Sequence, residues 1–350
     1  MITEASAALI SETMHAVFVT GPGTVAREEV PRPTAGPRDV LVKMRACGIC
    51  GSDGFYIQIG GIPPRQGTTA LGHEPAGEVV DIGVEVTGLQ IGDHVVVNPI
   101  ASRTAMIGSG GPQGALSDFL LIEDAVVGTH IAIMPKEVPW HVAALNEPMA
   151  VARHAVNRTQ PKPGDTVVVF GAGPIGLGAT IGYKLSGASS VVVVDLIPSR
   201  LEKALAVGAD AVINSAEEDV IARLTELHGA GATAFGQPRA GTDIYLDAAG
   251  AAPVLATVFE AAKHNATLGI VAVHKKPVEV PFQDLLVSEL NIVLSMGYPT
   301  EIFEVTKEIA EHWEKFAVIV SETFPFDDVE EALTAATTPG RADKVVVTFD

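Results

Sequence analysis

The stretch VVVFGAGPIG, residues 167–176, decides the fold class of this 350-residue chain. A short apolar strand runs into glycines with the G-x-G-x-x-G spacing, and a helical pattern follows. The first glycine of such a turn permits a tight bend, the second lets the backbone approach a pyrophosphate, and the third allows close helix packing. One such motif is weak support for a dinucleotide-binding fold in a chain with 35 glycines, so the neighbouring sequence must show whether the motif is genuine. The cofactor-binding residues predicted here are Gly171, Gly173, Pro174, Ile175 and Gly176.

The next apolar strand ends in an acid at the place where a dinucleotide-binding fold needs one. Asp195 follows SVVVV about twenty residues beyond the glycines, where a carboxylate binds the adenosine ribose hydroxyls. Such a carboxylate would repel the 2′-phosphate of NADP, so the sequence favours NAD as the cofactor. Arg200 is expected near the adenosine, where its charge would weaken that preference. The alternative role for Asp195 is a cap on the following helix.

Strand and helix patterns alternate after the PKPGD turn near residue 163. The strands TVVVF, SVVVVD, AVINS, TDIYLDAAG, TLGIVAV and NIVLSMGY are nearly continuous apolar runs, as in a parallel sheet covered on both faces. We therefore predict an α/β fold with a doubly wound, Rossmann-type sheet over residues 158–297. Val271 and Val273, at the end of a late strand, are expected to contact the cofactor.

The two ends of the chain follow a different pattern. Short strands rich in Val and Ile, such as HAVFVT, PAGEVVDIG and GDHVVVNPI, precede the alternating region. Two amphipathic helical patterns and a closing strand, KVVVTF, come after it. We predict one β-rich domain built from residues 1–157 and 298–350.

Charge and composition exclude several classes of function. Lys and Arg number 23 against 42 Asp and Glu, and the resulting formal charge of −19 repels nucleic-acid phosphates and anionic lipid. No run approaches the roughly 20 apolar residues of a membrane-spanning helix, and the first residues carry no basic leader segment. We expect a cytoplasmic protein without nucleic-acid or membrane partners. Its two cysteines, Cys47 and Cys50, cannot form a disulfide framework and fit a reducing compartment.

Metal-ligating residue types stand in three separate segments of the first domain. Cys50 lies in CGICGSD, His73 in LGHEP, and Glu147 in NEP, at separations unlike those of a compact zinc finger. A catalytic zinc needs three protein ligands and an open position, which a thiolate, an imidazole and a carboxylate would satisfy. A redox dithiol formed by Cys47 and Cys50 is the alternative, because a CxxC spacing also lowers a thiol pKa.

With these motifs in order, the chain resembles the zinc-containing medium-chain dehydrogenases, particularly the sorbitol and threonine dehydrogenase branch. GICGSD, LGHE, NEP, PGDTVVVFGAGPIG and VVVVDLIPSRLEKA occur in that family's order, and the resemblance covers nearly the whole chain. It implies a GroES-like catalytic domain beside the Rossmann domain. It also implies that Cys50 and His73 bind zinc, that Glu147 does so directly or through water, and that Glu74 approaches the metal as substrate and water exchange. Cys47 falls where the family has no ligand.

The resemblance implies two further residue roles, and the chain departs from the family pattern at two places. It implies that Ser52 relays the substrate proton and that Asp53 orients His73, although a simple turn or helix cap is the alternative for both residues. Phe55 stands where many relatives have a histidine that continues the proton path. Residues 99–117 contain none of the four cysteines that hold a structural zinc in many relatives, so we expect one catalytic zinc per subunit.

The sequence therefore predicts a zinc-dependent, NAD-linked dehydrogenase acting on a secondary alcohol, diol or polyol, or on the matching ketone. Phe55, Tyr56 and Met296 are expected to form part of the substrate pocket. The NIVLSMGY strand resembles the edge at which relatives join their sheets, which predicts a homodimer or homotetramer. A zinc-free NAD(P)H quinone or enoyl reductase of the same superfamily is one alternative, and a non-catalytic nucleotide-binding protein is another.

Overall fold

The computed structural model describes residues 11–338 and 340–350. The first stretch contains β1 (Thr13–Gly21), β2 (Thr24–Pro31), β3 (Val40–Gly48), α1 (Gly51–Ile59), β4 (Thr69–Ala70), β5 (Glu74–Ile82), β6 (His94–Val97), β7 (Phe119–Ile122), β8 (Ile131–Ile133), α2 (Trp140–Ala143) and α3 (Asn146–Thr159). The middle stretch contains β9 (Thr166–Phe170), α4 (Pro174–Leu185), β10 (Ser190–Asp195), α5 (Pro198–Val207), β11 (Ala211–Asn214), α6 (Val220–His228), β12 (Ala230–Ala232), β13 (Pro238–Ala240), β14 (Ile244–Asp247), α7 (Ala252–Ala261), β15 (Thr267–Ile270), α8 (Phe282–Leu285) and β16 (Asn291–Leu294). The last stretch contains α9 (Glu304–Ala317), β17 (Glu322–Pro325), α10 (Val329–Thr337) and β18 (Val345–Thr348).

The chain divides into two compact units. The first ends its amino-terminal segment at Glu147 and resumes at Glu322, and the second runs from Pro148 to Ser321. The predicted boundaries, after 157 and before 298, therefore fall inside the second unit. The reason is that α3 and α9 pack with it: Arg153 of α3 donates to the Gly182 carbonyl of α4 at 3.2 Å and to Glu304 of α9 at 3.2 Å.

The second unit is built on one parallel sheet. Its strand order is β11-β10-β9-β14-β15-β16, so the direction of winding reverses between β9 and β14. The central strands are nearly fully buried along their length, which explains why they read as continuous apolar runs. This confirms the predicted doubly wound sheet. The short hairpin of β12 and β13 is inserted between α6 and β14.

The first unit takes strands from both ends of the chain. Its larger sheet has the order β17-β18-β3-β5-β6-β8, with β7 also paired to β3, and a smaller sheet has the order β2-β1-β4. The closing strand β18 lies antiparallel to β3, with Val346 opposite Gly48. On the other side of β3, Gly48 lies opposite Glu74, the first residue of β5. These two pairings bring three distant parts of the sequence to the end of β3.

Among the described residues, no helix combines the length and the apolar character that a bilayer crossing requires.

Candidate active site

Three side chains that could hold a metal ion meet at the end of β3. The ligand atoms of Cys50, His73 and Glu74 all lie within 4.8 Å of one another. Cys50 is the N-cap residue of α1 and lies two residues after the end of β3, whereas His73 precedes β5 and Glu74 is its first residue. The antiparallel pairing of β3 with β5 therefore joins two motifs that the sequence separates.

His73 is held in one orientation by its neighbours. Its Nδ1 atom lies 3.5 Å from Asp53 Oδ1, and its Nε2 atom lies 3.4 Å from Ser52 Oγ. Burial opposes a charged His73 ring, but the Asp53 carboxylate, together with Cys50, raises the pKa of His73 well above its ordinary value. Asp53 is fully buried and also accepts a hydrogen bond from the Cys50 backbone N–H at 2.9 Å, so it caps α1 and faces the imidazole at once.

Glu74 forms a buried ion pair with a lysine that the sequence analysis missed. Lys344 Nζ donates to Glu74 Oε2 and to the Ile49 carbonyl oxygen, the latter at 3.0 Å. Burial disfavours the ammonium, but the charges of Glu74, Cys50 and Glu147 raise the pKa of Lys344 above its ordinary value. No local signal marks this lysine, because it reaches the site only through the pairing of β18 with β3.

The other carboxylate oxygen of Glu74 fits the coordination of a cation. Within the described part of the chain, Glu74 Oε1 is buried and has no hydrogen-bond partner. A buried acceptor of this kind is costly unless a donor or a metal satisfies it. Together with a thiol and an imidazole, it makes a donor set that suits zinc.

The absence of a side chain at Gly48 leaves space for the Glu74 carboxylate. A Cβ atom placed on Gly48 would overlap Glu74 Oε2 and would come within 3.1 Å of the Lys344 side chain. The glycine in the CGIC segment is therefore required by the close approach of the Glu74 carboxylate to the β3 backbone.

The other predicted residues of the metal site take distinct places. Glu147 is 6% exposed, at the first turn of α3, and is not one of the three clustered ligand residues, although its charge acts on Lys344. Cys47 is fully buried, and burial raises the pKa of its thiol far above the ordinary value. A thiol held in this protonated form disfavours the redox-dithiol hypothesis.

The substrate contacts predicted for Phe55, Tyr56 and Met296 stay predictions. Phe55 on α1 is 54% exposed, and the Tyr56 hydroxyl hydrogen-bonds with Ser109 Oγ at 2.5 Å. Ser109 lies in the cysteine-free segment 99–117, and sequence reasoning gave it no role. Met296 lies in the second unit and is 86% exposed.

The glycine turn of the second unit has the geometry of a phosphate-binding loop. Gly171 has φ +98°, and a Cβ atom on Gly176 would overlap the Gly171 carbonyl oxygen, so both positions require glycine. A Cβ atom on Gly173 would meet nothing within 4 Å, so this side of the turn is open. Pro174 begins α4, and the amino terminus of a helix in this position would offer backbone N–H groups to a phosphate.

Asp195 tethers the glycine turn to the residues before α5, and α5 itself has no side-chain cap among the described residues, so the helix-cap alternative is not met while ribose binding stays a prediction. One carboxylate oxygen accepts the Ala172 N–H of the glycine turn at 2.7 Å. The other accepts the N–H groups of Leu196 and Ile197 at 2.7 and 2.9 Å, just before α5. The carboxylate thus stands between the turn and α5, and Arg200 lies in the first turn of that helix. Val271 and Val273 follow β15 at the same edge of the sheet, and Val273 is 78% exposed.

Comparison with known proteins covers both units. A family model described as alcohol dehydrogenase GroES-like domain matches residues 36–135, and one described as zinc-binding dehydrogenase matches residues 174–317. The (R,R)-butanediol dehydrogenase of Bacillus subtilis is 30% identical, over 87% of this chain and 90% of its own length. The sorbitol dehydrogenase of Rattus norvegicus is 31% identical, over 95% of each chain. The structure of an alcohol dehydrogenase from Escherichia coli CFT073 complexed with NADH has a TM-score of 0.82 and 26% identity, and it covers 97% of this chain and 100% of that chain.

Proposed function

This chain belongs to the zinc-type medium-chain alcohol dehydrogenase family, and from that premise we propose that it interconverts a diol or polyol with the matching ketone, using zinc and NAD. The observation that carries the proposal is the cluster of Cys50, His73 and Glu74, in which one Glu74 oxygen has no partner among the described residues. The reaction class, alcohol oxidoreductase, follows from the family.

The residues around the cluster are suited to hold one zinc ion. The Asp53 carboxylate lies 3.5 Å from His73 Nδ1, so we propose Nε2 as the ligand nitrogen, and a carboxylate placed behind a ligating imidazole raises its basicity. Lys344 fixes Glu74 through Oε2 and leaves Oε1 for the metal. Glu147 is proposed as a further ligand, directly or through water. We propose a single zinc per chain.

The chemistry divides between the bound groups and the chain. When bound, zinc supplies Lewis-acid polarisation of the alcohol oxygen and NAD supplies the hydride acceptor. Ser52 is proposed to carry the substrate proton, because its hydroxyl can donate and accept hydrogen bonds and lies 3.4 Å from Nε2, the nitrogen proposed to bind zinc, and therefore beside the proposed metal position. Phe55 has no titratable group, so the proton must leave Ser52 by water or by another hydroxyl.

The cofactor preference is proposed from Asp195. Its carboxylate lies beside the glycine turn, where it would accept hydrogen bonds from ribose hydroxyls and repel a 2′-phosphate. One relative has been solved with NADH, which is compatible with this preference.

The substrate class is proposed from the relatives and from α1. The butanediol and sorbitol dehydrogenases favour a diol or polyol. The large exposed ring of Phe55 favours a small diol with apolar substituents over a long polyol. Tyr56 and Met296 stay candidates for substrate contact.

We also propose a homodimer or homotetramer, located in the cytoplasm. In the second unit, β16 is an edge strand of the sheet and exposes Leu294 by 67% and Ile292 by 40%. An apolar strand edge of this kind associates unless it is covered.

The test of the proposed function is turnover by the purified, zinc-loaded protein. NAD and NADP are each offered with 2,3-butanediol, sorbitol, threonine and simple secondary alcohols, and quinones are offered with NADH and NADPH. We expect diol oxidation with NAD, lost in Cys50→Ala and kept in the neighbouring control Cys47→Ala. Quinone reduction that persists in Cys50→Ala would favour the zinc-free reductase. Nucleotide binding without turnover of any substrate would favour the non-catalytic alternative.

A further inference from the structure

A buried aspartate and a histidine form a pair at the carboxyl edge of the second unit's sheet. Asp247, the last residue of β14, is fully buried, and its Oδ2 atom lies 2.7 Å from Nε2 of His274. His274 follows β15 by four residues, and its side chain is 16% exposed. Neither residue has a place in the site described above.

Asp247 is held in place by the backbone and faces one nitrogen of the His274 ring. Its Oδ1 atom accepts the backbone N–H groups of Ala249 and Gly250 at 3.0 and 2.9 Å. An ionised carboxylate only accepts hydrogen bonds, so the His274 Nε2 atom facing it carries a hydrogen. In the neutral ring, Nδ1 is then an acceptor, and in the described chain it makes no hydrogen bond.

The strand order places this acceptor relative to a bound dinucleotide. Asp195 ends β10 and the glycine turn follows β9, whereas Asp247 ends β14, on the other side of β9. A dinucleotide lies across the carboxyl edge with its pyrophosphate at the glycine turn and its adenosine ribose at the acid after the second strand. The opposite, nicotinamide half must then extend over the ends of β14 and β15.

The loops after these two strands pack closely together. A Cβ atom on Gly250 would lie 3.0 Å from the Val273 carbonyl oxygen, and one on Gly171 would lie 3.1 Å from the Ala248 backbone. The residues directly after Asp247 therefore contact both the glycine turn and the segment that ends in Val273, while the His274 side chain keeps 16% exposure.

We infer that His274 is a cofactor-binding residue whose Nδ1 atom accepts a hydrogen bond from a donor on the nicotinamide nucleoside, a ribose hydroxyl or the carboxamide. Asp247 is the positioning residue that fixes the ring and its tautomer. The inference rests on the proposed function, because it requires a nicotinamide cofactor. It goes beyond that function because it names a residue of this chain that contacts the nicotinamide half of the cofactor.

Two substitutions separate this role from a purely structural tie between the loops. His274→Asn places an acceptor oxygen near the Nδ1 position but loses the donor that faces Asp247. His274→Gln keeps a donor toward Asp247 and has no atom at the Nδ1 position. Affinity is measured by the fluorescence of NADH, and AMP, which lacks the nicotinamide half, is measured by competition. His264→Gln, at the opposite end of β15, is the matched control.

We expect the NADH dissociation constant to rise about tenfold in His274→Gln, to stay within about threefold of the wild type in His274→Asn, and not to change in the control. The AMP affinity should be the same in all four proteins, which also shows that each variant is folded. The reverse order of the two variants, or an equal loss of AMP and NADH affinity, would overturn the inference. Wild-type protein that binds AMP but no NADH would instead overturn the proposed function.

Discussion

Lys344 and Glu74 form an ion pair in which both side chains are almost completely buried, at 4% and 1% exposure. The lysine comes from the carboxyl-terminal end of the chain, and the glutamate stands beside the ligand candidate His73. The pair fixes one oxygen of Glu74 and leaves the other beside Cys50 and His73. The Lys344 ammonium would repel a bound cation, which is a cost to the metal site. We infer that the pair is kept because it orients the Glu74 carboxylate and balances its negative charge.

Removal of the lysine should therefore be severe. Lys344→Met leaves the Glu74 carboxylate buried without its partner, and breaking such a pair costs about 3–5 kcal/mol. We expect that loss in the free energy of unfolding by denaturant, measured on chelator-treated protein. The double variant with Glu74→Gln should recover a large part of it, because the uncompensated charge is gone. Equal stability of Lys344→Met and wild type would show that the pair does not form in solution.

Gly48 should tolerate no side chain. Gly48→Ala forces the new methyl group into Glu74 Oε2, so the carboxylate and Lys344 must move. We expect a stability loss of about 1–3 kcal/mol and at least a tenfold fall in kcat/KM. Gly51→Ala, where a Cβ atom would meet nothing within 4 Å, is the control and should stay near wild type. A fully active Gly48→Ala would mean that the position of Glu74 is not needed.

Asp195 should set the choice between NAD and NADP. Asp195→Asn keeps an acceptor for the Ala172 N–H but removes the negative charge. The ratio of the NADPH to the NADH dissociation constant should fall roughly 10- to 100-fold, because repulsion of the 2′-phosphate is relieved and a charged hydrogen bond to ribose is lost. Fluorescence titration gives both constants. An unchanged ratio would assign the preference to other residues, with Arg200 the first to examine.

His228 should make unfolding depend on acid. Burial is the main cause that lowers the pKa of His228 to about 4. The charges of Asp243 and Asp210 raise this pKa, and the charge of Lys263 lowers it further. Between pH 6.5 and about 4, His228 is therefore protonated in the unfolded chain but neutral in the folded chain. Its contribution to the free energy of unfolding is fully present above pH 6.5 and is lost as the pH falls toward 4. His228→Gln should take up about one proton fewer on unfolding at pH 5, as measured by the pH dependence of the unfolding free energy. An identical pH dependence in both proteins would contradict this account.

The sequence predicted those features that local patterns encode. Each of these features can be recognised from a few consecutive residues: the glycine turn, Asp195, the parallel strands, and the CGICGSD and LGHE segments. Lys344 and His274 do not, because only the pairing of β18 with β3 and of β14 with β15 brings them to their partners. The compact units divide at residues 147 and 321 rather than at the predicted 157 and 298, since Arg153 joins α3 to α4 and α9 by contacts that no sequence pattern marks, and the predicted domain boundaries stay a prediction.

The most direct test of the central claim is the zinc content per chain of protein purified without chelator, determined by elemental analysis. The account predicts about one zinc in the wild type and in Cys47→Ala, because Cys47 is a buried thiol outside the donor cluster. Cys50→Ala should retain far less. A folded, NADH-binding wild type without zinc, or a Cys50→Ala variant with the same zinc content as the wild type, would contradict the assignment of Cys50, His73 and Glu74 as the metal centre.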